Sequence, residues 1–305
     1  MTEQQLLAEG EPGRYAKTLA VLNDYVTLTK PPIISLLLIT AAGGMFLAAQ
    51  GLPSLTLLGL VWVGGALASG GANAINHLLD RDIDLIMSRT RLRPVADQRI
   101  TPAKALIFGI VLNILSFVIL WTLVNPLAAG LTLSATLFYV FVYTLWLKRT
   151  TPQNIVIGGA AGAIPPLVGW AAVTGGLDLP AVYLFAIVFF WTPPHFWALS
   201  LLIQEDYERA RIPMLPVVAT RDYTTLNIFL YSLVLVGITV VFAVSPAVHG
   251  IYLLAALVLG GIFLALAWRL KRDSTRKRAR TLYLFSLLYL ALLFGSLMVD
   301  VLAPI

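Results

Sequence analysis

Long apolar runs separated by short polar connections occupy the chain from residue 31 onward. Each run is about 20 residues long, which is the length that a helix needs to cross the hydrocarbon core of a bilayer. The runs cover residues 31–50, 56–78, 103–123, 126–146, 153–174, 180–203, 225–245, 250–268 and 282–301. The pattern therefore predicts an all-α, polytopic membrane protein with nine transmembrane helices, which form a single domain over residues 29–305.

Basic residues are distributed unevenly between the two sides of these predicted helices. The connections after the first, third, fifth, seventh and ninth runs read QGLPS, VNP, TGGLDLP, SPAVHG and API, without a Lys or Arg. All bases lie in the other connections, at the run end next to one of them (Lys104), or before residue 31. Because Lys and Arg favour the cytoplasmic side, we expect a cytoplasmic N-terminus and an external C-terminus. Residues 1–28 lack the apolar core of a signal peptide, so we expect a cytosolic N-terminal arm there.

Composition supports this class of protein and narrows its chemistry. Only 12% of the residues are charged, against about 25% in a typical soluble domain, and the mean hydropathy is +0.86. The chain has no cysteine, which excludes a disulfide framework, a thiolate metal site and a cysteine nucleophile. Its net charge of +6 is explained by the bases that set the orientation. We therefore expect a lipid bilayer, and no nucleic acid, as a partner.

The polar stretch NAINHLLDRDIDLIMSRTRLRP, residues 73–94, lies at the end of the second apolar run. Asn76, Asp80 and Asp84 are spaced four apart, so on a helix they form one stripe. Such oxygens suit Mg²⁺, which commonly uses one or two carboxylates together with phosphate oxygens of a substrate. Arg89 and Arg93 follow, and guanidinium groups pair well with phosphate. The stretch predicts a magnesium–diphosphate site at the cytoplasmic edge, and a solvated loop with local Asp–Arg pairs is the alternative.

A second acidic connection follows the sixth apolar run. Glu205, Asp206 and Glu208 offer ligands for a second metal, and Arg209 and Arg211 offer contacts for phosphate. The two acidic connections lie four helices apart and occupy equivalent places along the chain. This placement suggests two structurally related halves around one central cavity.

The sixth run itself contains Pro193, Pro194 and His195. Proline removes a backbone hydrogen bond and is expected to kink the helix. An ionisable residue inside a membrane helix indicates function by default, but His195 is explained equally well as a satisfied hydrogen-bonding group. Trp191 and Trp197 are expected to be core or interface aromatics rather than substrate clamps.

A third polar stretch, in LKRTTPQNIVIGGAAGAIPPLVGW (residues 147–170), opens the fifth run. Lys148, Arg149 and Asn154 lie at its cytoplasmic start, where the two bases can serve either topology or phosphate binding. Three glycines follow, which are expected to serve close helix packing rather than substrate contact. They are Gly158, Gly159 and Gly162.

Together these stretches resemble the UbiA-type intramembrane prenyltransferases, and within them the branch that farnesylates heme. The resemblance rests on DYVTLTKP (24–31), NHLLDRDIDLIMSRTRLRP (76–94), LKRTTPQNIVIGGAAGAIPPLVGW (147–170), WTPPHFWALS (191–200) and DYERARIPMLPVV (206–218). The first acidic motif is typical of the whole superfamily, whereas TPPHFW and IPMLPV are typical of the heme branch. The matching stretches extend from the first predicted helix to the loop after the sixth.

The resemblance implies that the farnesyl group of farnesyl diphosphate is transferred to a vinyl group of heme B, giving heme O. It implies Mg²⁺ as the cofactor, with Asn76, Asp80, Asp84 and Asp206 as the metal-binding and catalytic residues. The substrate-binding residues that it implies are Lys30, His77, Arg89, Arg93, Lys148, Arg149, Asn154, His195 and Tyr207.

The loop after the sixth run departs from the pattern of these families at two positions. Glu205 stands where the heme branch often has a base, and Arg211 stands where it often has a glycine. The D-x-x-x-D motif that is common in the superfamily is also missing from this loop. These departures predict rearranged phosphate contacts and weaken the case for a second metal.

The resemblance further implies a multi-pass enzyme of the cell inner membrane whose active site faces the cytoplasm. The expected protein partners are a heme A synthase or the assembly machinery of a terminal oxidase. Three other functions stay open: a prenyltransferase for a quinone precursor or a chlorophyll-type ring, a secondary transporter, and a structural assembly partner of an oxidase. Acids at helix ends rather than near the midplane argue against transport, and a purely structural role leaves the acids unexplained.

Overall fold

The structure, a computed structural model, describes residues 14–303, with side chains from residue 18 onward. Within that range the chain is all-helical and contains no β-strand. Its helices are α1 (Arg14–Thr29), α2 (Pro31–Ala49), α3 (Leu55–Leu79), α4 (Arg81–Ile86), α5 (Pro102–Leu123), α6 (Pro126–Thr150), α7 (Asn154–Ala163), α8 (Pro165–Thr174), α9 (Leu179–Leu202), α10 (Gln204–Arg209), α11 (Leu215–Val218), α12 (Arg221–Phe242), α13 (Gly250–Arg272) and α14 (Arg276–Leu302).

Among the described residues, nine helical stretches are long and apolar enough to cross a membrane, which confirms the predicted fold class. The fifth stretch consists of α7 and α8 in succession. The largest boundary difference concerns α14, which begins at Arg276 rather than at residue 282. Thr275 caps this helix by accepting a hydrogen bond from the Arg278 N–H. The first turn of α14 is basic and lies outside the apolar span, so the apolar pattern does not predict it.

The outward faces of these helices are apolar. Leu254, Ile107 and Trp146 are exposed over 65%, 62% and 61% of their surfaces, respectively. Such broad apolar exposure is unfavourable in water and is satisfied by lipid tails. The chain is therefore a multi-pass membrane protein. We call the end of the bundle at which α3, α6 and α9 finish the basic end, because the Lys and Arg residues of the described chain lie there.

The predicted N-terminal arm contains a helix over its later part, and residues 1–13 lie outside the described residues. Helix α1 packs against α3, where Asn73 Nδ2 donates a hydrogen bond to the Thr29 carbonyl at 3.0 Å. Leu28 is fully buried in a small cluster with Ala74 and Val95. These contacts fix the point at which α1 ends and α2 begins, next to Lys30.

The largest buried cluster lies where α9, α12, α13 and α14 pack together. Its large members that are at most 1% exposed include Trp197, Phe242, Tyr252, Phe263 and Tyr289. Helix α9 continues from Leu179 to Leu202 with Pro193 and Pro194 inside it. Both prolines are buried, so neighbouring helices enclose the part of α9 where a backbone hydrogen bond is missing.

Helix α6 widens into a π-helical segment, Phe138–Leu147, before its last turn. Wide turns of this kind are uncommon and often occur at functional sites. The segment changes the angular position of the residues that follow it, and it places Thr144 and Lys148 beside the end of α3.

Two of the three glycines in the predicted packing motif of α7 meet a neighbouring helix closely. A Cβ atom at Gly158 would overlap the ring of Tyr143, and one at Gly159 would lie 3.0 Å from the Thr192 side chain. At Gly162 nothing lies within 4 Å of such an atom. The prediction of close helix approach is therefore confirmed for the first two glycines and wrong for the third.

Candidate active site

The predicted polar stripe forms at the junction of α3 and α4. Helix α3 ends at Leu79, but the Asp80 N–H still donates to the Asn76 carbonyl at 2.9 Å, and the Asp84 N–H donates to the Asp80 carbonyl at 2.8 Å. The four-residue spacing therefore survives the helix break. Asn76, Asp80 and Asp84 are buried, with 3%, 1% and 2% exposure, whereas Asp82 points outward.

A chain of short hydrogen bonds joins the stripe to two lysines. Lys30 Nζ donates to Asn76 Oδ1 at 2.7 Å, and Asn76 Nδ2 donates to Asp80 Oδ2 at 2.7 Å. Lys148 Nζ donates to the same Asp80 oxygen at 2.5 Å. Thr144, on the π-helical segment, accepts a second hydrogen bond from the Asn76 amide at 3.2 Å. Residues from α2, α3 and α6 thus meet at one buried point of the basic end.

Lys30 holds an unusual backbone conformation at this point. Its φ of 55° and ψ of 62° lie in the left-handed region, which costs energy for a residue with a Cβ atom. Burial lowers the pKa of Lys30 well below its usual value, and the nearby charges of Arg93 and Lys148 lower it further, while Asp80 and Asp84 act in the opposite direction. Several cationic groups therefore lie close together in this cluster, and their mutual repulsion favours the binding of an anion.

The remaining acids of the first motif have separate basic partners. Arg93 Nη1 donates to both oxygens of Asp84, at 2.8 and 2.9 Å. Arg149 donates to both oxygens of Asp82, at 2.7 and 2.8 Å, and to the Leu79 carbonyl at 2.8 Å. The hydrogen bonds from Arg149 hold the pKa of Asp82 at about 2. Local Asp–Arg pairs therefore do form, but only the Asp82 pair is exposed.

The second acidic loop contacts the first one directly. Ser88 Oγ lies 2.8 and 2.9 Å from the two carboxylate oxygens of Asp206, and the Ser88 N–H donates to the same group at 3.3 Å. Arg209 forms an ion pair with Asp206 from the adjacent turn. Burial acts to raise the pKa of Asp206, but the Ser88 hydrogen bonds and the Arg209 charge outweigh it, so the pKa is lowered.

Apolar packing reinforces this contact between the two loops. Ile83 of α4 and Tyr207 of α10 belong to one buried cluster, together with Ile155 of α7 and Met214, which precedes α11. Burial raises the pKa of the Tyr207 phenol. In contrast, Glu205 and Glu208 are exposed. Only Asp206 of the three predicted second-metal acids therefore faces the first motif.

Ser88→Ala is expected to loosen the contact between the two loops. The change removes a hydrogen bond to a charged carboxylate, which is worth about 1.5–3 kcal/mol, so trypsin should cleave after Arg209 and Arg211 several times faster. Because the folded state lowers the pKa of Asp206, the stability from this contact is fully present above the ordinary carboxyl pKa and is lost as the pH falls through the lowered pKa of the folded state. Limited proteolysis with trypsin at neutral pH measures the first effect, and cleavage by the acid-active protease pepsin over a series of acidic pH values measures the second.

Ser134→Ala is the matched control, because Ser134, like Ser88, is an exposed serine, but its hydroxyl bonds only to its own helix at the Leu131 carbonyl. The control should leave the cleavage rate unchanged. Equal cleavage rates for Ser88→Ala and the wild type would contradict the proposed role of this contact.

The donor set at Asp80 fits a divalent cation. Asp80 Oδ1 is buried and has no hydrogen-bond partner, and Arg149 Nη2 lies 4.0 Å from it. A buried carboxylate oxygen without a partner is costly, and a cation would satisfy it. Within residues 14–303, no three His, Cys, Asp or Glu side chains converge on one point. This fits Mg²⁺, which often takes few protein carboxylates and completes its shell with phosphate oxygens and water.

Three further predicted residues lie at the basic end but form no hydrogen bond with this network. His77 is 1% exposed, and neither ring nitrogen has a partner. Asn154 is fully buried, and its amide donates only to the nearby Thr151 carbonyl at 2.6 Å, which leaves Oδ1 without a partner. Arg89 is exposed beside Ser88.

His195 lies apart from the acid–base network, on the face of α9 that contacts α14. Its ring stacks on Trp191, and its Nδ1 lies 2.6 Å from Ser286 Oγ. Trp191 and Trp197 are 7% and 1% exposed, which confirms their predicted place in the core.

Three residues of these contacts were not predicted from the sequence: Thr144, Ser88 and Ser286. Thr144 precedes Lys148 by one helical turn, and this spacing is the signal that was available. Ser88 and Ser286 have no such signal, because their partners lie far away in the sequence.

Residues 37–293 match the UbiA prenyltransferase family. This chain belongs to that family. The match covers all of the described acid–base network except Lys30. It confirms the resemblance that the acidic motifs indicate.

Several curated relatives carry the name protoheme IX farnesyltransferase. The one from Gloeobacter violaceus is 54% identical over 282 residues, which is 92% of this chain and 92% of that protein. The one from Chloroflexus aurantiacus is 51% identical over 280 residues, which is 92% of this chain but 48% of that protein. The chain therefore spans about half the length of some curated relatives and nearly the whole length of others.

Solved structures of other proteins share the fold at low sequence identity. A digeranylgeranylglyceryl phosphate synthase aligns with a TM-score of 0.76 at 18% identity, covering 92% of this chain and 99% of that one. A UbiA homolog from Archaeoglobus fulgidus bound to GPP and Mg²⁺ aligns with a TM-score of 0.65 at 16% identity, covering 90% and 99%. These alignments support the all-helical membrane fold.

Proposed function

We propose that this chain transfers the farnesyl group of farnesyl diphosphate to a vinyl group of heme B, giving heme O. The observation that carries the proposal is the buried set Lys30–Asn76–Asp80–Lys148, which combines a carboxylate oxygen without a partner with two lysines. The name shared by relatives of about 50% identity supports the choice of farnesyl donor and heme acceptor.

The diphosphate would bind where these groups meet. Mg²⁺, when bound by Asn76, Asp80 and Asp84, supplies Lewis-acid neutralisation of the leaving diphosphate. Lys30 and Lys148 already lie at this point, and each can exchange its present partner for a phosphate oxygen. Arg93 holds Asp84 with one guanidinium nitrogen and can present its other N–H groups to phosphate. Supporting roles at the same end of the bundle are proposed for five further residues, which are Asp206, Arg89, Arg149, Asn154 and Tyr207.

The apolar bundle around the site would serve the second half of the reaction. The bond between C1 of the farnesyl group and the diphosphate oxygen breaks, and the electron pair leaves with diphosphate. The vinyl group of the acceptor then forms a carbon–carbon bond to C1. Water adds to the resulting cation at the vinyl carbon next to the ring and loses one proton, which gives the hydroxyethylfarnesyl group. Enclosure by helices keeps other water from the allylic cation until the acceptor reacts.

The alternative functions are less well supported. Membership of a prenyltransferase family disfavours both a secondary transporter and a purely structural assembly partner. Another acceptor, such as a quinone precursor or a chlorophyll-type ring, is not favoured, because the named relatives share a heme acceptor.

The proposal extends to the setting of the enzyme. The uneven distribution of Lys and Arg supports a cell inner membrane protein whose basic end, and therefore whose diphosphate site, faces the cytoplasm. The N-terminal arm would lie on the same side. A heme A synthase or the terminal-oxidase assembly machinery is the proposed consumer of the product.

The direct test is to incubate purified protein with heme B, farnesyl diphosphate and Mg²⁺ and to search for heme O by mass spectrometry. We expect heme O to form, and a chelator such as EDTA should abolish it until Mg²⁺ is returned. Prenylation of a different aromatic acceptor, with no heme O, would instead support the rival acceptor class.

A further inference from the structure

His195 lies in a compact buried cluster that joins α9 to α14. Its Nδ1 lies 2.6 Å from Ser286 Oγ, and the Ser286 hydroxyl also lies 2.6 Å from the Tyr283 carbonyl. Trp191 Nε1 donates to the Ser286 carbonyl at 2.7 Å. Two residues of α9 and two of α14 therefore form one hydrogen-bonded unit.

This arrangement determines which ring nitrogen of His195 carries the proton. The Ser286 hydroxyl has one hydrogen, and the Tyr283 carbonyl can only accept, so the hydroxyl donates to that carbonyl. The Nδ1 atom must then donate to Ser286 Oγ. A neutral imidazole with its hydrogen on Nδ1 has a free lone pair on Nε2.

Aromatic packing holds the ring in place. The His195 ring stacks on Trp191 at 4.3 Å between centroids with an angle of 16°, and it lies 5.0 Å from the Tyr283 ring. The Nε2 atom has no hydrogen-bond partner, yet it is not among the fully enclosed polar atoms, whereas both nitrogens of His77 are. The residue keeps 7% exposure. The lone pair of Nε2 is therefore oriented, unused and accessible.

On the basis of the proposed function, we propose that His195 Nε2 is the axial ligand for the iron of the heme acceptor, and that Ser286 is the positioning residue that sets its tautomer. A metal-binding histidine generally donates its other N–H to a fixed oxygen acceptor, and this bond orients the ring. His195 lies seven residues before the end of α9, which is about 10 Å along the helix axis. The iron would then sit deeper in the membrane than the diphosphate.

The other two histidines are less suitable ligands. Both nitrogens of His77 are enclosed and have no fixed acceptor. His249 precedes α13 at the opposite end of the bundle, where its ring lies 3.4 Å from Asp300. Only His195 combines a fixed Nδ1–H with an accessible Nε2. This difference makes His249 a control residue for heme binding.

The test is a spectroscopic titration of purified protein with heme B. We expect the wild type to show the Soret band of histidine-ligated heme, and His195→Ala to lose that band and to bind heme at least tenfold more weakly. Added imidazole should restore the band. Ser286→Ala should keep the band but shift it and weaken binding a few-fold, whereas Ser286→Thr should restore the wild-type spectrum. His249→Ala should not differ from the wild type.

An unchanged heme spectrum in His195→Ala would overturn the assignment, and so would loss of the band in His249→Ala. If His195→Ala cannot be recovered folded, pulsed EPR of wild-type ferric protein with ¹⁵N-labelled histidine provides the test. A coupling between iron and one histidine nitrogen that persists in His77→Ala and in His249→Ala supports ligation by His195, and its absence from the wild type overturns the assignment. Heme O formation without that coupling would contradict only the assignment of His195 as the iron ligand, whereas the absence of heme O would contradict the proposed function.

Discussion

Asp80→Asn and Asp84→Asn, singly or together, are expected to lower farnesyl transfer by about a thousandfold or more. Each change keeps the shape of the side chain but removes a buried negative charge that is proposed to hold Mg²⁺. Metal neutralisation of a leaving group is worth several kcal/mol, and each 1.4 kcal/mol corresponds to about a tenfold change in rate. The measurement is initial rate of heme O formation by purified variants at saturating Mg²⁺.

Asp82→Asn is the matched control within the same motif. Asp82 lies two residues from both tested acids, but its side chain is 62% exposed and pairs with Arg149 instead of facing the network. A surface pair contributes little, so the rate should stay within a few-fold of the wild type. If the double variant Asp80→Asn, Asp84→Asn retained full transfer and its membrane insertion were normal, the proposed metal site would be wrong.

Gly169→Ala is expected to be the most damaging single-methyl change to the fold. A Cβ atom at Gly169 would overlap the Ala41 carbonyl oxygen and lie 3.1 Å from the Met45 backbone nitrogen. Gly44, opposite it, is equally close to the Pro166 carbonyl. Backbone cannot move aside as a side-chain tip can, so α2 and α8 must separate. Overpacking costs about 1–3 kcal/mol or more, which should lower the thermal midpoint by roughly 5 °C or more.

Gly237→Ala is the corresponding control. Gly237 lies in the middle of α12, and nothing lies within 4 Å of an added Cβ atom. Alanine favours a helix over glycine by about 1 kcal/mol, so this variant should be unchanged or slightly more stable. The midpoints can be compared by heating detergent-solubilised protein and measuring the fraction that remains monodisperse. A Gly169→Ala midpoint equal to that of the wild type would show that the α2–α8 contact can relax.

The interior of the bundle depends on such contacts more than on apolar burial. Lipid tails are as apolar as leucine, so helix association in a membrane relies on close packing and on interhelical hydrogen bonds. The α2–α8 contact supplies the first of these, and it lies in the second half of α2, more than about 15 Å along the helix from Lys30. A change at Gly169 should therefore act mainly on stability rather than on the diphosphate site.

The first acidic motif shows which features of the site a sequence pattern can predict. The four-residue spacing correctly placed Asn76, Asp80 and Asp84 together, because hydrogen bonding with this period continues across the break after Leu79. It also placed Asp82 on the other side. The same reasoning could not assign the partners: Lys30 and Lys148 reach Asn76 and Asp80 from positions 46 and 68 residues away.

In the second acidic loop, the sequence pattern predicts less of the site. The spacing of Glu205, Asp206 and Glu208 did not distinguish them as ligands, although the family resemblance named Asp206; the structure buries only Asp206 and pairs it with Ser88. Nothing local distinguishes the three acids. Their difference arises from the packing of Tyr207 and Ile83 in one cluster, which turns one face of α10 toward α4.

By itself, the sequence determined the all-helical membrane class, the approximate bounds of nine crossings and the shared face of the first acidic motif. These features follow from the thickness of the bilayer and from the period of a helix, both of which act on neighbouring residues. Only the tertiary structure decided the left-handed turn at Lys30, the pairing of Ser88 with Asp206 and the tautomer of His195. Each of these depends on atoms from distant parts of the chain that meet only after the helices pack.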